Sequence, residues 1–256
     1  MHYRVWGERA WPPVVLLHGI AGSGRTWDSL AVQLAHRGRR AIAPDARGHG
    51  ESEWASEYGG DQNVSDLTAF IDAIELRSFA LVGFSMGART AYGYAARHPG
   101  RVGRLILVDR GPETMAAGSA RVGARLADER EFNTLEQAVE QLQSRMPGVP
   151  AAGVRQRAAD NLVRRSDGRW AWRYDPALRA RQPQDADTEW ALLPKLEMPT
   201  LVLRGTLSDV LSADAAQRMT REIPDCTLIE IEGGSHHLML EMPDEVAAAV
   251  IGFLKL

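Results

Sequence analysis

Gly83-Phe84-Ser85-Met86-Gly87 is the stretch of this chain with the clearest chemical content, a serine with a glycine two positions to either side. It follows the apolar run Phe79-Ala80-Leu81-Val82 and precedes the small-residue run from Ala88 to Ala96, which reads as strand, tight turn and helix. In so tight a turn the strand and helix pass too close for larger side chains at the glycine positions. The apex hydroxyl is pushed clear of both elements. The N–H of Met86 then lies at a helix start, aimed where negative charge develops on an attacked carbonyl. The implied chemistry is nucleophilic attack by Ser85. Such a hydroxyl needs a base within hydrogen-bond reach, and the base needs a carboxylate to hold it. Strand ends downstream offer both: Asp209 in Arg204-Gly205-Thr206-Leu207-Ser208-Asp209, and His236 in Gly234-Ser235-His236, with His237 beside it.

The elements that must position these groups alternate along the chain. Val14-Val15-Leu16-Leu17 reads as a strand covered on both faces, and it runs into His18-Gly19-Ile20-Ala21-Gly22-Ser23-Gly24. These glycines lack dinucleotide-fingerprint spacing and no Lys-Ser/Thr pair follows, so a phosphate cradle is a poor reading. The loop instead suits the second N–H of an oxyanion hole, from Ile20, with His18 as a hydrogen-bonded loop residue. Helical spacing covers Trp27 to His36 and Val64 to Ile74, and Arg40 to Asp45 reads as a strand between them. The polar turn from Asp45 to Ser52 is expected to pair its own charges. Leu105 to Asp109 is a further buried strand. From Gly111 to Lys195 the pattern changes to helical stretches, among them Thr134 to Met146 and Ala151 to Val163, with Trp170, Trp172 and Trp190 and no convincing buried strand. Alternation resumes with a strand at Pro199 to Gly205, a helix at Ala213 to Thr220, a strand at Thr227 to Ile231 and a helix at Asp244 to Phe253. The expected fold class is α/β, a doubly wound, mostly parallel sheet formed by residues 1–110 and 196–256. Residues 111–195 are expected as a helical lid over the carboxyl ends of the strands.

With 256 residues, 45% of them hydrophobic and 25% charged, the chain fits one soluble globular core with an inserted subdomain. A formal net charge of −3 offers no footprint for nucleic acid or for an anionic membrane. No apolar stretch approaches the roughly 18 residues of a membrane span. The lone Cys226 can form neither an internal disulfide nor a thiolate metal site, and a reducing cytoplasm is the expected location.

Taken together, the chain resembles the α/β-hydrolase fold family along nearly its whole length. The resemblance rests on His18-Gly19 after an early strand, on Asp45 with Arg47-Gly48-His49-Gly50-Glu51-Ser52, and on the Ser85 turn. Gly234-Ser235-His236 followed by Glu241-Met242-Pro243 completes it. It implies a triad of Ser85, Asp209 and His236, with Ile20 and Met86 N–H groups as the oxyanion hole, and it selects His236 over His237 by the spacing to Glu241. Asp109 also ends a strand, where some members of the family carry the acid; Asp209 is the preferred reading, with Asp109 in a structural role. A serine at the turn, where related dehalogenases and epoxide hydrolases have aspartate, implies an acyl-enzyme route. The expected substrate is a small-molecule carboxylic ester, with no metal or organic cofactor. Lactone hydrolysis, carbon-carbon hydrolysis and perhydrolysis use the same triad, and a ligand receptor with little turnover is the alternative from another class. A roofed cavity is expected to favour short or aromatic acyl groups, with any one of the three lid tryptophans about as apt to line it as not.

Overall fold

The computed structural model describes residues 1–127, 131–180 and 185–256, the side chains of Arg125 and Ala127 excepted. Apolar runs build its centre. Strands β1 (Tyr3–Trp6), β2 (Pro13–Leu17), β3 (Arg40–Pro44), β4 (Phe79–Phe84) and β5 (Val102–Val108) precede a hairpin of β6 (Leu162–Arg164) and β7 (Trp170–Trp172); β8 (Thr200–Gly205) and β9 (Cys226–Ile231) follow. Seven strands form one sheet in the order β1-β3-β2-β4-β5-β8-β9, parallel except for β1 against β3.

Between the strands run α1 (Asp28–Ala35), α2 (Gly60–Ala73), α3 (Met86–Arg97), α4 (Ala116–Ala127), α5 (Leu135–Arg145), α6 (Ala151–Asn161), α7 (Ala186–Trp190), α8 (Ala213–Glu222), α9 (Leu238–Glu241) and α10 (Pro243–Leu254). Alternate residues of each strand serve opposite faces. Val15, Leu17, Ile42, Leu81, Leu105 and Val202 pack beneath Val64, Leu67, Ala91, Tyr92 and Met219 of α2, α3 and α8. Val14, Leu16, Ala43, Val82, Ile106 and Leu203 pack beneath Leu30, Leu34, Val246 and Val250 of α1 and α10. Burial on both faces is why these strands read as unbroken apolar runs.

The chain winds one way from β2 to β3, then returns to place β4 on the other side of β2. The loops leaving β2 and β4 therefore diverge from a crevice at the carboxyl edge, where open α/β sheets bind ligands. Those loops carry Ile20 and Ser85.

The segment joining β5 to β8 has its own small core, in which Leu142, Met146, Val154 and Leu162 pack with Trp170 and Trp172. A second cluster sets Leu126, Tyr174 and Leu178 of this segment against Ala21 and Tyr58 of the sheet loops. Two details differ from expectation. The helix anticipated to Val163 stops at Asn161, and the chain turns into the β6–β7 hairpin, whose three-residue strands are too short to leave a period in the sequence. The charges of the Asp45–Ser52 turn also look outward. Asp45 accepts from Gly24 N–H (2.6 Å), Glu51 N–H (3.0 Å) and the His2 ring (2.7 Å), while Arg47 forks onto Asp66 of α2. No helix among the described residues is long and apolar enough to cross a membrane.

Candidate active site

Ser85 occupies the left-handed region, φ 53° and ψ −115°, between β4 and α3. Such backbone costs on the order of 1–3 kcal/mol and persists only where its surroundings impose it. Here the Ser85 N–H donates to the Val108 carbonyl of β5 at 3.0 Å. A Cβ added at Gly83 would collide with the Gly87 carbonyl, and one at Gly87 with the Leu17 carbonyl, so neither glycine can be replaced without parting the strand from the helix.

The buried His236 ring has its Nε2 3.1 Å from Ser85 Oγ. Its loop after β9 is clamped by Glu241, whose carboxylate accepts both the N–H (2.8 Å) and the hydroxyl (2.7 Å) of Ser235. The Phe84 ring lies 5.1 Å from the imidazole, centroid to centroid. His237 starts α9 and packs beside His236, with ring centroids 6.0 Å apart.

The carboxylate on the imidazole is Asp109, and this corrects the expectation of Asp209. His236 Nδ1 lies 2.7 Å from Asp109 Oδ2, and Asp109 is fully buried. Asp109 adopts φ 50° one residue past β5, which swings its side chain across the sheet edge toward His236. Asp209 faces away, half-buried, and takes a bidentate fork from Arg121 of α4 at 2.7 and 2.8 Å. That hydrogen-bonded guanidinium holds the Asp209 carboxyl below its ordinary pKa, against the opposing effect of partial burial.

Ser208 was missed by sequence reasoning. Its hydroxyl accepts the N–H groups of Val210 and Leu211, both at 3.1 Å, so its proton is left for Asp109 Oδ2 at 2.6 Å. Gly205 N–H donates to the other oxygen at 3.2 Å. The signal lay in view, a serine just beyond β8, but nothing local marks its partner.

Ser85, His236, Ile20 and Met86 all line one cavity of about 530 Å³. Met86 is the first residue of α3, so its N–H has no acceptor inside the helix. Beneath Ile20, Ala46 N–H donates to His18 Nε2 at 3.0 Å, leaving the ring proton on Nδ1 to reach Gly19 O at 2.8 Å. Burial lowers the His18 pKa, which keeps this neutral tautomer in place. From the β5–β8 segment the lining comes from residues such as Pro112, Thr114, Ser119, Val122, Leu126 and Leu178. The three tryptophans lie elsewhere: Trp170 and Trp172 against the α5–α6 core, and Trp190 in the sheet core with Arg218 stacked 3.9 Å above its ring. No group of three or more His, Cys, Asp or Glu side chains among the described residues could hold a metal ion.

A strained serine on a strand-to-helix turn, bonded to a histidine that a carboxylate holds, is joined by a family model for the alpha/beta hydrolase family that matches residues 14–249. The chain belongs to the alpha/beta hydrolase family. Among its relatives, the esterase Rv0045c of Mycobacterium tuberculosis is 30% identical, the match covering 97% of this chain and 84% of that one. A 3-hydroxybutyrate-oligomer hydrolase of Cupriavidus necator is 29% identical over 97% of this chain and 91% of its own. The crystal structure of an alpha/beta hydrolase from Novosphingobium aromaticivorans superposes with a TM-score of 0.88 at 30% identity, covering 99% of this chain and 93% of the other.

Proposed function

We propose that this alpha/beta hydrolase is a serine hydrolase that cleaves small carboxylic esters through an acyl-enzyme. The observation that carries the reading is the unbroken run of hydrogen bonds from Ser85 Oγ through His236 to Asp109, opening onto a cavity. Relatives named as an esterase and as a 3-hydroxybutyrate-oligomer hydrolase support hydrolytic chemistry of this kind.

In this mechanism Ser85 Oγ attacks the ester carbonyl while His236 Nε2 takes its proton. Asp109 holds the Nδ1–H and stabilises the imidazolium that forms. The oxyanion is received by the N–H groups of Ile20 and Met86. His236 next protonates the departing alcohol, then draws a proton from water as it attacks the acyl-Ser85 ester. Residues 111–195 act as a cap over the cavity, and a volume near 530 Å³ suits a drug-sized ester rather than a long acyl chain. A cytoplasmic setting accords with the single, half-buried Cys226.

Labelling and turnover test the proposal together. A fluorophosphonate should add once to the protein and not at all to Ser85→Ala, and p-nitrophenyl butyrate hydrolysis should fall by several orders of magnitude in that variant. Undiminished labelling or turnover in Ser85→Ala would remove Ser85 from the mechanism.

A further inference from the structure

Three arginines line the cavity of a chain whose formal net charge is −3. Arg89, Arg110 and Arg179 line it, against Glu113 as the one Asp or Glu among the described lining residues, and Glu113 itself accepts from the Trp190 indole N–H at 3.3 Å. Arg89 is committed to the protein. Its Nε and Nη2 meet Glu189 at 3.2 and 2.7 Å, and the Tyr92 hydroxyl donates to the second Glu189 oxygen at 2.6 Å.

Arg110 differs. It directly follows Asp109 at the end of β5, makes no ion pair with any described residue, and has a buried Nε with no hydrogen-bond partner. Tyr92 and Glu189 act on its guanidinium electrostatically, but the Glu189 oxygens are taken by Arg89 and by the Tyr92 hydroxyl. Arginine stays charged under such conditions. A desolvated cation without a carboxylate is costly to maintain in a folded protein, and a ligand that brings one completes it. The planar guanidinium presents paired N–H groups at the spacing of two carboxylate oxygens.

We propose that Arg110 is the carboxylate-binding residue of this cavity, so that the preferred substrates are esters bearing a second, free carboxylate. This rests on the ester-hydrolase reading above. The Arg110 guanidinium holds that carboxylate while Ser85 meets the scissile carbonyl.

The test compares mono-p-nitrophenyl glutarate with its methyl ester, which differ in one charge. In the wild type kcat/KM should favour the acid by about 10- to 100-fold, the range for a hydrogen bond to a charged partner. Arg110→Met should bring that ratio to about one, Arg110→Lys should keep part of it, and free glutarate should inhibit the wild type competitively and Arg110→Met far more weakly. If Arg110→Met does not fold, the wild-type ratio and the glutarate inhibition decide. A wild-type ratio of one or less, with the methyl ester turned over and Ser85 labelled by fluorophosphonate, overturns the anion site and leaves the hydrolase standing. Absence of both labelling and turnover overturns the reading beneath it.

Discussion

Replacing Asp109 by Asn separates the two aspartates that compete in the sequence. Three donors approach the carboxylate: Gly205 N–H at 3.2 Å on Oδ1, and Ser208 Oγ and His236 Nδ1 at 2.6 and 2.7 Å on Oδ2. An amide has one oxygen to offer them. Placed on the Oδ2 side, it keeps the two short bonds and sets its NH2 against the Gly205 N–H. Turned round, it keeps only the longest bond and makes His236 accept at Nδ1, so that Nε2 carries the proton and faces Ser85 as a donor. The turned-round form also gains a bond from its NH2 to His236 Nδ1, so the two orientations stand at two bonds each, and in the first the main loss is the charge. With charge centres about 4 Å apart and an effective dielectric near 20, the carboxylate attracts the forming imidazolium by about 4 kcal/mol. That is about a thousandfold in rate, and any population of the second orientation carries the loss toward the ~10⁴ of a wrong tautomer. Steady-state hydrolysis of p-nitrophenyl butyrate should therefore show kcat lower by about 10³ to 10⁴ in Asp109→Asn, with cooperative thermal unfolding retained. Asp209→Asn breaks a half-exposed ion pair worth about 1 kcal/mol, which lowers Tm by about 2–4 °C and leaves kcat within about tenfold. A larger loss of turnover in Asp209→Asn than in Asp109→Asn would refute the assignment.

Ser208→Ala removes a buried donor to a carboxylate and the acceptor of two N–H groups; by calorimetry Tm should drop several degrees, with kcat down about tenfold, and unchanged kcat would make Ser208 purely structural. Glu241→Ala frees the Ser235 backbone and should lower kcat about tenfold or more with KM little altered, whereas an effect confined to KM would mean that the clamp does not position His236. The depressed Asp209 pKa stabilises the folded state above the unfolded carboxyl pKa, about 3.9, and that contribution is lost as pH falls through the lower folded value. The Tm gap between wild type and Asp209→Asn should accordingly be widest at neutral pH and close below about pH 4; a gap that widens in acid contradicts the ion pair. Gly87→Ala drives a methyl into the Leu17 carbonyl and should abolish the native near-UV circular dichroism spectrum; a native spectrum with full activity would show that the turn tolerates a side chain.

The nucleophile turn is legible in the sequence because its constraints are local: a strand, a serine and two glycines whose spacing is itself the steric requirement. The sheet is legible for a similar reason, since burial on both faces leaves unbroken apolar runs at β2, β4, β5 and β8. The acid is not. Asp109 and Asp209 each follow a strand of that sheet, and the choice between them turns on a positive φ at Asp109 and on Arg121, which reaches Asp209 from 88 positions away. The tryptophans fail for another reason. Hydrophobicity marks Trp170, Trp172 and Trp190 for burial, but it does not say which core they enter. Ser208 and Arg110 are invisible for the same reason, because their roles come from what the fold sets opposite them.

The segment between β5 and β8 is riveted at both ends. Near its start Arg121 grips Asp209 beyond β8, and near its finish Glu189 holds Arg89 and Tyr92, one turn and two turns along the helix that Ser85 begins. A segment fixed at two points cannot swing like a door. Rotating it as a body would break a buried ion pair, at about 3–5 kcal/mol, and would tug directly on the nucleophile helix. Between those two points α5, α6 and the β6–β7 hairpin pack on a small core that Leu240 of α9 also joins, and Asp160 of α6 is tied to Arg25 at 3.3 Å. The consequence is that the cavity wall and the nucleophile helix are held as one piece, so a change at Glu189 reaches Ser85 through α3.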